Sequence, residues 1–116
     1  MSFVRCVLGD LPPASLGRTY AHEHLIIDPS YATQIAPDIR LESVDAAVRE
    51  LADFKAAGGG AMVDCMPCDA GRNVLKLAEI SRRSGIHLIA PTGLHRRRFY
   101  PLGHWRYSSS VERLSD

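Results

Sequence analysis

A chain of 116 residues is the size of one domain and too short for two ordinary ones. With 46% hydrophobic and 23% charged residues it has the composition of a folded globular protein, and fourteen Lys plus Arg against thirteen Asp plus Glu leave a net charge of +1, which argues against a chain-wide footprint for nucleic acid. No apolar run approaches the roughly 18 residues of a membrane span, residues 1–6 lack the order of a secretory signal, and three cysteines make no disulfide framework. Reduced thiols and a cytoplasmic location are expected.

Residues 3–8 read as a short strand, broken by Gly9-Asp10-Leu11-Pro12-Pro13. Residues 19–27 form a second extended segment, which Asp28-Pro29-Ser30 ends, and residues up to about Arg40 read as a long loop without periodicity. Ser43 is a helix N-cap with Asp45 in the first turn. Val44, Ala47, Val48, Leu51 and Phe54 then recur at helical spacing, and Gly58-Gly59-Gly60 stops the helix. Residues 61–66 are apolar enough for a strand buried on both faces. A second helix spans residues 72–84, with Val74, Leu77, Ala78 and Ile80 inward and Gly85 as its stop, and residues 86–91 are another buried strand. Strand, helix, strand, helix, strand, each helix closed by glycine, is the rhythm of parallel βαβ units. Beyond Leu94 the chain is polar, aromatic and arginine-rich, with no regular pattern.

His22-Glu23-His24 is the strongest chemical signal. Two residues apart on a helix would turn the imidazoles to opposite sides, whereas on a strand both project from one face. Flanking Tyr20, Ala21, Leu25, Ile26 and Ile27 favour the strand. Two neutral imidazoles side by side at the C-terminal end of a parallel strand suit zinc and its neighbours. The spacing alone leaves open a plainer alternative, in which one histidine packs and the other is solvated.

The segment from Leu16 through Thr19-Tyr20-Ala21-His22-Glu23-His24-Leu25 resembles the first-strand signature of the phosphotriesterase family, in the metal-dependent amidohydrolase superfamily. The resemblance runs on through Gly58-Gly59-Gly60-Ala61-Met62-Val63-Asp64, Gly71-Arg72-Asn73, Ile80-Ser81-Arg82-Arg83-Ser84-Gly85-Ile86 and Thr92-Gly93-Leu94-His95, to Phe99-Tyr100-Pro101 and His104-Trp105. It covers residues 7–107. It implies an α/β fold, the first three βα units of a TIM (β/α)8 barrel after a short N-terminal β-hairpin, with residues 1–116 as the N-terminal portion of one barrel domain. A complete barrel typically takes about 250 residues, so the chain is expected to be a fragment or truncated member.

By the same resemblance, His22 and His24 are ligands of a divalent metal, zinc in a site that holds two ions when complete. A water activated there attacks a small-molecule ester: a phosphotriester, a lactone or a related compound. The family's remaining ligands come from later strands: a carbamylated lysine, two histidines and an aspartate. Without them, the isolated chain is expected to lack efficient hydrolysis. Asn73 stands where the family often has aspartate, and either residue serves at a helix start.

Asp64 is expected beside the site, orienting a histidine or capping a loop rather than binding metal. His95 and Tyr100 are candidates for a substrate-facing loop. Asp28 and Asp69 read as loop and helix-start residues, and His87 as a packed or surface-tip histidine. Cys65-Met66-Pro67-Cys68, between a strand end and a helix, is the placement of a thiol redox pair, the rival enzymatic reading. Arg96-Arg97-Arg98 with Phe99, Tyr100, Trp105, Arg106 and Tyr107 mixes cations and aromatics as some nucleic-acid surfaces do, the rival binding reading. Neither nucleic acid nor membrane is expected as a partner of the hydrolase. Self-association is expected, because strands this apolar need cover on both faces.

Overall fold

The computed structural model describes residues 2–110 and 112–113. Strands β1 (Val4–Cys6) and β2 (Gly9–Leu11) form an antiparallel hairpin, with Val4 opposite Leu11. The main sheet is parallel, in the order β3 (Arg18–Glu23), β4 (Gly59–Asp64), β5 (His87–Ile89). Between these strands run α1 (Tyr31–Ile35), α2 (Val44–Ala56) and α3 (Val74–Ser84). The hairpin is tied to the sheet by the Val7 N–H, which donates to the Leu88 carbonyl at 2.8 Å.

The long helices begin and end as their sequences dictate. Ser43 caps α2 by accepting the Ala46 N–H, and Asn73 caps α3 by accepting that of Lys76, each satisfying a donor that the helix itself leaves unpaired. Gly85 closes α3 in the left-handed region at φ 72°, where a side chain would be strained. The inward residues of both helices, Ala47, Leu51, Leu77 and Ile80, bury against Met62 of β4, Leu88 of β5 and Leu25 and Ile26. A second apolar cluster, containing Ile27, Ala32, Met66, Ala70, Phe99 and Tyr100, packs beneath the loops beyond the strand ends.

Five expectations are corrected, the first being the inward placement of Val74, which is 46% exposed. The extended segment of residues 19–27 is a strand only to Glu23, because the Asp64 carboxylate draws the Leu25 and Ile26 N–H groups off the ladder. The segment before Arg40 is not all loop: it contains α1, too short to show a period. There the Thr33 hydroxyl accepts the Ser30 N–H and donates to the Ser30 carbonyl. The glycine triplet does more than stop α2, which already ends at Ala56, since Gly59 and Gly60 open β4. A Cβ on Gly60 would collide with the Leu16 carbonyl oxygen, so this glycine allows the entry to β3 to lie against β4. Among the described residues, β5 is followed by two 3-10 turns, Arg97–Phe99 and Trp105–Ser108, rather than by a third crossover helix.

One edge of the sheet is bare. Residues 18–22 of β3 are all exposed, and no strand pairs β3 on its outer side among the described residues. No helix among the described residues is long and apolar enough to cross a membrane.

Candidate active site at the strand ends

The C-terminal ends of the three parallel strands open into a cleft of 460 Å³ lined by His22, His24, Cys65, Pro67, Pro91, Thr92, Leu94, His95 and Arg96. The His22 and His24 rings stand edge to face with centroids 5.6 Å apart, in agreement with their two-residue spacing. How β3 presents them is less simple than alternation. Tyr20 pairs with Met62 and Glu23 with Asp64, so three steps along β3 match two along β4. This bulge flips the parity of the strand. Tyr20 and Glu23 line a groove on the helix side with Leu51, Phe54 and Met62, His22 enters the cleft on the other, and His24 borders both. Strict alternation would have put Tyr20 and His22 on the same face.

Asp64 has no solvent exposure, and its carboxylate is satisfied by backbone donors: Leu25 N–H at 2.8 Å, Ile26 N–H at 3.3 Å and Met66 N–H at 2.9 Å. Such a set compensates a buried charge that would otherwise be costly. The carboxylate thereby fixes the turn that leaves β3 just after His24, and caps the exit of β4 as well. The His24 N–H donates to Glu23 Oε1 at 2.8 Å, while its ring Nδ1 is buried and finds no partner among the described residues. A ligating histidine is normally held by giving its other ring nitrogen to an acceptor. No group of three or more His, Cys, Asp or Glu side chains able to hold a metal forms among the described residues. The local donor set is two imidazoles.

His95 reaches the cleft from the loop after β5. Its Nδ1 accepts the Arg96 N–H, its own N–H donates to the Tyr100 hydroxyl at 2.8 Å, and its carbonyl accepts from Arg106 at 2.7 Å. Burial, followed by the charges of Arg96, His24 and Arg98, holds the His95 imidazole below its ordinary pKa, which favours the neutral ring. Tyr100 does not line the cleft. It is buried, and its hydroxyl also donates to the Cys68 carbonyl at 2.8 Å, so it joins the loops that follow β4 and β5. Burial pushes its phenol up, in keeping with that neutral role.

Two further ties hold these loops. Asp69, at φ 57°, accepts from the His104 ring at 2.9 Å and the Trp105 indole at 3.0 Å. Asp28 accepts from Lys76 Nζ at 2.6 Å and from the Asn73 amide at 2.8 Å, anchoring the segment after β3 to the start of α3. Both aspartates are structural, and His87 is half-buried within β5.

The rival readings find no support in the geometry. Cys65 and Cys68 are both free thiols, and they line different clefts. Burial and the neighbouring Asp69 push the Cys68 thiol up, opposite to the depressed pKa of a reactive thiol. Arg97, Arg98 and Arg106 lie over Tyr107, Phe99 and Tyr100, where they pack the loop itself. The residue that sequence reasoning passed over is Arg96, read only as part of an arginine run, which stands at the rim of the cleft.

Comparison with known proteins agrees with this arrangement. The chain is 36% identical over 110 residues to a phospho-furanose lactonase of Mycoplasmopsis synoviae, covering 92% of this chain and 30% of that protein. The crystal structure of an amidohydrolase from Mycoplasma synoviae superposes with a TM-score of 0.83 at 36% identity, over 89% of this chain and 30% of that one. A lactonase from Listeria monocytogenes gives 0.77 at 34% identity, over 84% and 30%. The chain thus spans about 30% of the length of these relatives, which are (β/α)8 barrels, and matches them with an α/β fold built on a three-stranded parallel sheet. The phosphotriesterase family matches residues 2–116, and the chain belongs to that family.

Proposed function

We propose that this chain carries the histidine pair of a metal-dependent hydrolase of ester bonds, on the first three strands of the barrel. The relatives named as lactonases favour a lactone as the ester. One observation carries the reading: the His22 and His24 rings stand 5.6 Å apart in a single cleft at the C-terminal end of a parallel strand. That end of a barrel is where catalytic groups gather.

The residues fit part of a metal site. His22 and His24 would hold the ion, zinc by the chemistry of the donors. When bound, such an ion polarises an ester carbonyl and acidifies an attacking water. The chain's own residues do the positioning. The bulge in β3 aims His22, and Asp64 fixes the backbone immediately after His24. Tyr100 and Arg106 hold the His95 backbone so that its ring faces the substrate side. A complete site holds two ions, and two imidazoles leave a tetrahedral ion half-coordinated. The chain alone is therefore proposed to be inactive, cytoplasmic and prone to self-association, with a small-molecule ester as its ligand and neither nucleic acid nor membrane as a partner.

The test is a chimera in which residues 1–107 replace the matching segment of the Mycoplasmopsis synoviae relative. With zinc or cobalt it should hydrolyse a lactone, and His22→Ala or His24→Ala should cost more than the roughly 100-fold that even outer partners of a metal site cost. Undiminished hydrolysis in both variants would overturn the proposal.

A further inference from the structure

The bare edge of β3 carries a charge pattern of its own. Arg18 stands at the start of the strand, beside Tyr20, Phe54 and Ala57. Glu23 stands at its end, on the groove lined by Leu51, Phe54 and Met62, and Glu50 and Asp53 of α2 give the same groove an acidic border. These charges are unmatched within the chain. Arg18, Glu23, Glu50 and Asp53 form no ion pair among the described residues, whereas Asp28, Glu42 and Asp45 each meet a cation.

Regular alternation would put Arg18 and Glu23, an odd number of steps apart, on opposite faces of the strand. The bulge between Tyr20 and Glu23 removes that conflict, and both charges border the helix side. The edge is thereby self-complementary. A second copy running antiparallel, about a two-fold axis perpendicular to the sheet and centred on the bulge, meets Arg18 with its own Glu23 and Glu23 with its own Arg18. A parallel partner in register would set Arg18 against Arg18 and Glu23 against Glu23, and like charges directly opposite destabilise a strand pair. Charge thus selects one arrangement among those an open edge allows.

We propose that this chain forms a two-fold dimer by antiparallel pairing of β3 with β3 of a second copy, locked by two Arg18–Glu23 ion pairs. The half-exposed Tyr20 of each copy lies near the axis, where it covers apolar groove surface. The proposal rests on the self-association proposed above and fixes its geometry and its contact residues. An interface of this symmetry uses one patch twice, so it closes at two copies.

The test is sedimentation equilibrium of the whole chain and of Arg18→Glu and Glu23→Arg variants, alone and mixed. The parent should behave as a monomer–dimer equilibrium. Each variant alone should dimerise at least about tenfold more weakly, since it sets two like-charged pairs across the axis. An equal mixture of the two should regain the parent's affinity, because the reversed charge of one copy then meets that of the other. Arg82→Glu, on the exposed face of α3, should leave dimerisation unchanged. Hydrogen exchange on the parent needs no variant: the amides of residues 18–22 should gain protection as concentration rises, and those of α3 should not change. Association that survives both reversals, that the mixture fails to restore while both variants keep the parent's circular dichroism, or that protects α3 instead of β3 would overturn this interface and leave self-association standing. A parent that stays monomeric at all concentrations would overturn both. The ester-hydrolase reading depends on none of these results.

Discussion

The Asp64 carboxylate accepts the Leu25 N–H at 2.8 Å across 39 residues of chain, and so joins the exit of β4 to the residue directly after His24. The fold and the site meet at this bond, since the same carboxylate also ends β3 by holding Ile26.

Replacing Asp64 by Asn should therefore have two effects. An amide presents one acceptor oxygen and an NH2 group to three backbone donors, leaving buried N–H groups unpaired. Stability should fall by about 3 kcal/mol, measured by urea unfolding. The His24 ring should also lose its fixed position, seen as exchange broadening of its NMR signals at a pH and temperature where the variant is still folded. A variant as stable as the parent would refute this role.

Acid should loosen the loops at the strand ends. Burial raises the Asp28 pKa, but the hydrogen bonds from Lys76 and Asn73 and the Lys76 charge outweigh it, so the net pKa lies below the ordinary 3.8. The hydrogen bonds from His104 and Trp105 likewise hold Asp69 below 3.8. In both cases the unfolded chain takes up protons at a higher pH than the folded one. Their stabilising contribution is thus complete above the unfolded pKa and is lost as pH falls through 3.8 toward the folded values. Urea midpoints should be flat in these two contributions above pH 5 and fall below pH 4. Asp28→Asn and Asp69→Asn should each lower the midpoint at pH 6 and flatten the acid limb. An unchanged acid limb in both variants would contradict the assignment.

The bare edge of β3 predicts association. Residues 18–22 are exposed, no strand pairs with their outer side among the described residues, and Tyr20 is 50% exposed beside the groove of Leu51 and Phe54. Open edges of this kind pair with one another unless blocked by charge. Light scattering should show concentration-dependent dimers or larger species, and Tyr20→Lys should shift them toward monomer. A monomer at all concentrations would count against the proposal.

Much of this architecture was legible because local signals and tertiary needs coincide. Ser43 and Gly85 mark helix ends by their own backbone chemistry, and the apolar runs of β4 and β5 require two covered faces. The His22–His24 spacing has meaning only on a strand, which its flanking residues supply. The parts that escaped are those set by distant partners. Nothing near residues 24–27 says that Asp64 will take the Leu25 and Ile26 N–H groups and end the strand. The bulge in β3 depends on pairing with Met62 and Asp64, not on residues 20–23 alone. Gly60 reads as a helix stop until the Leu16 carbonyl is seen against it. Tyr100 looks substrate-facing from its place in the loop, and only the positions of Cys68 and His95 show its hydroxyl to be a tie. Arg96 was hidden among identical neighbours, since what sets it apart is the aromatic partners that the others have.

The most direct test of the central claim is calorimetric titration of zinc into the chain and into a His22→Ala, His24→Ala double variant. The chain should bind one zinc weakly, since two imidazoles supply only half of a tetrahedral shell, and the double variant should show no specific uptake. Unchanged stoichiometric binding by the double variant would contradict the account, and would place zinc on Cys65 and Cys68 or the loop histidines.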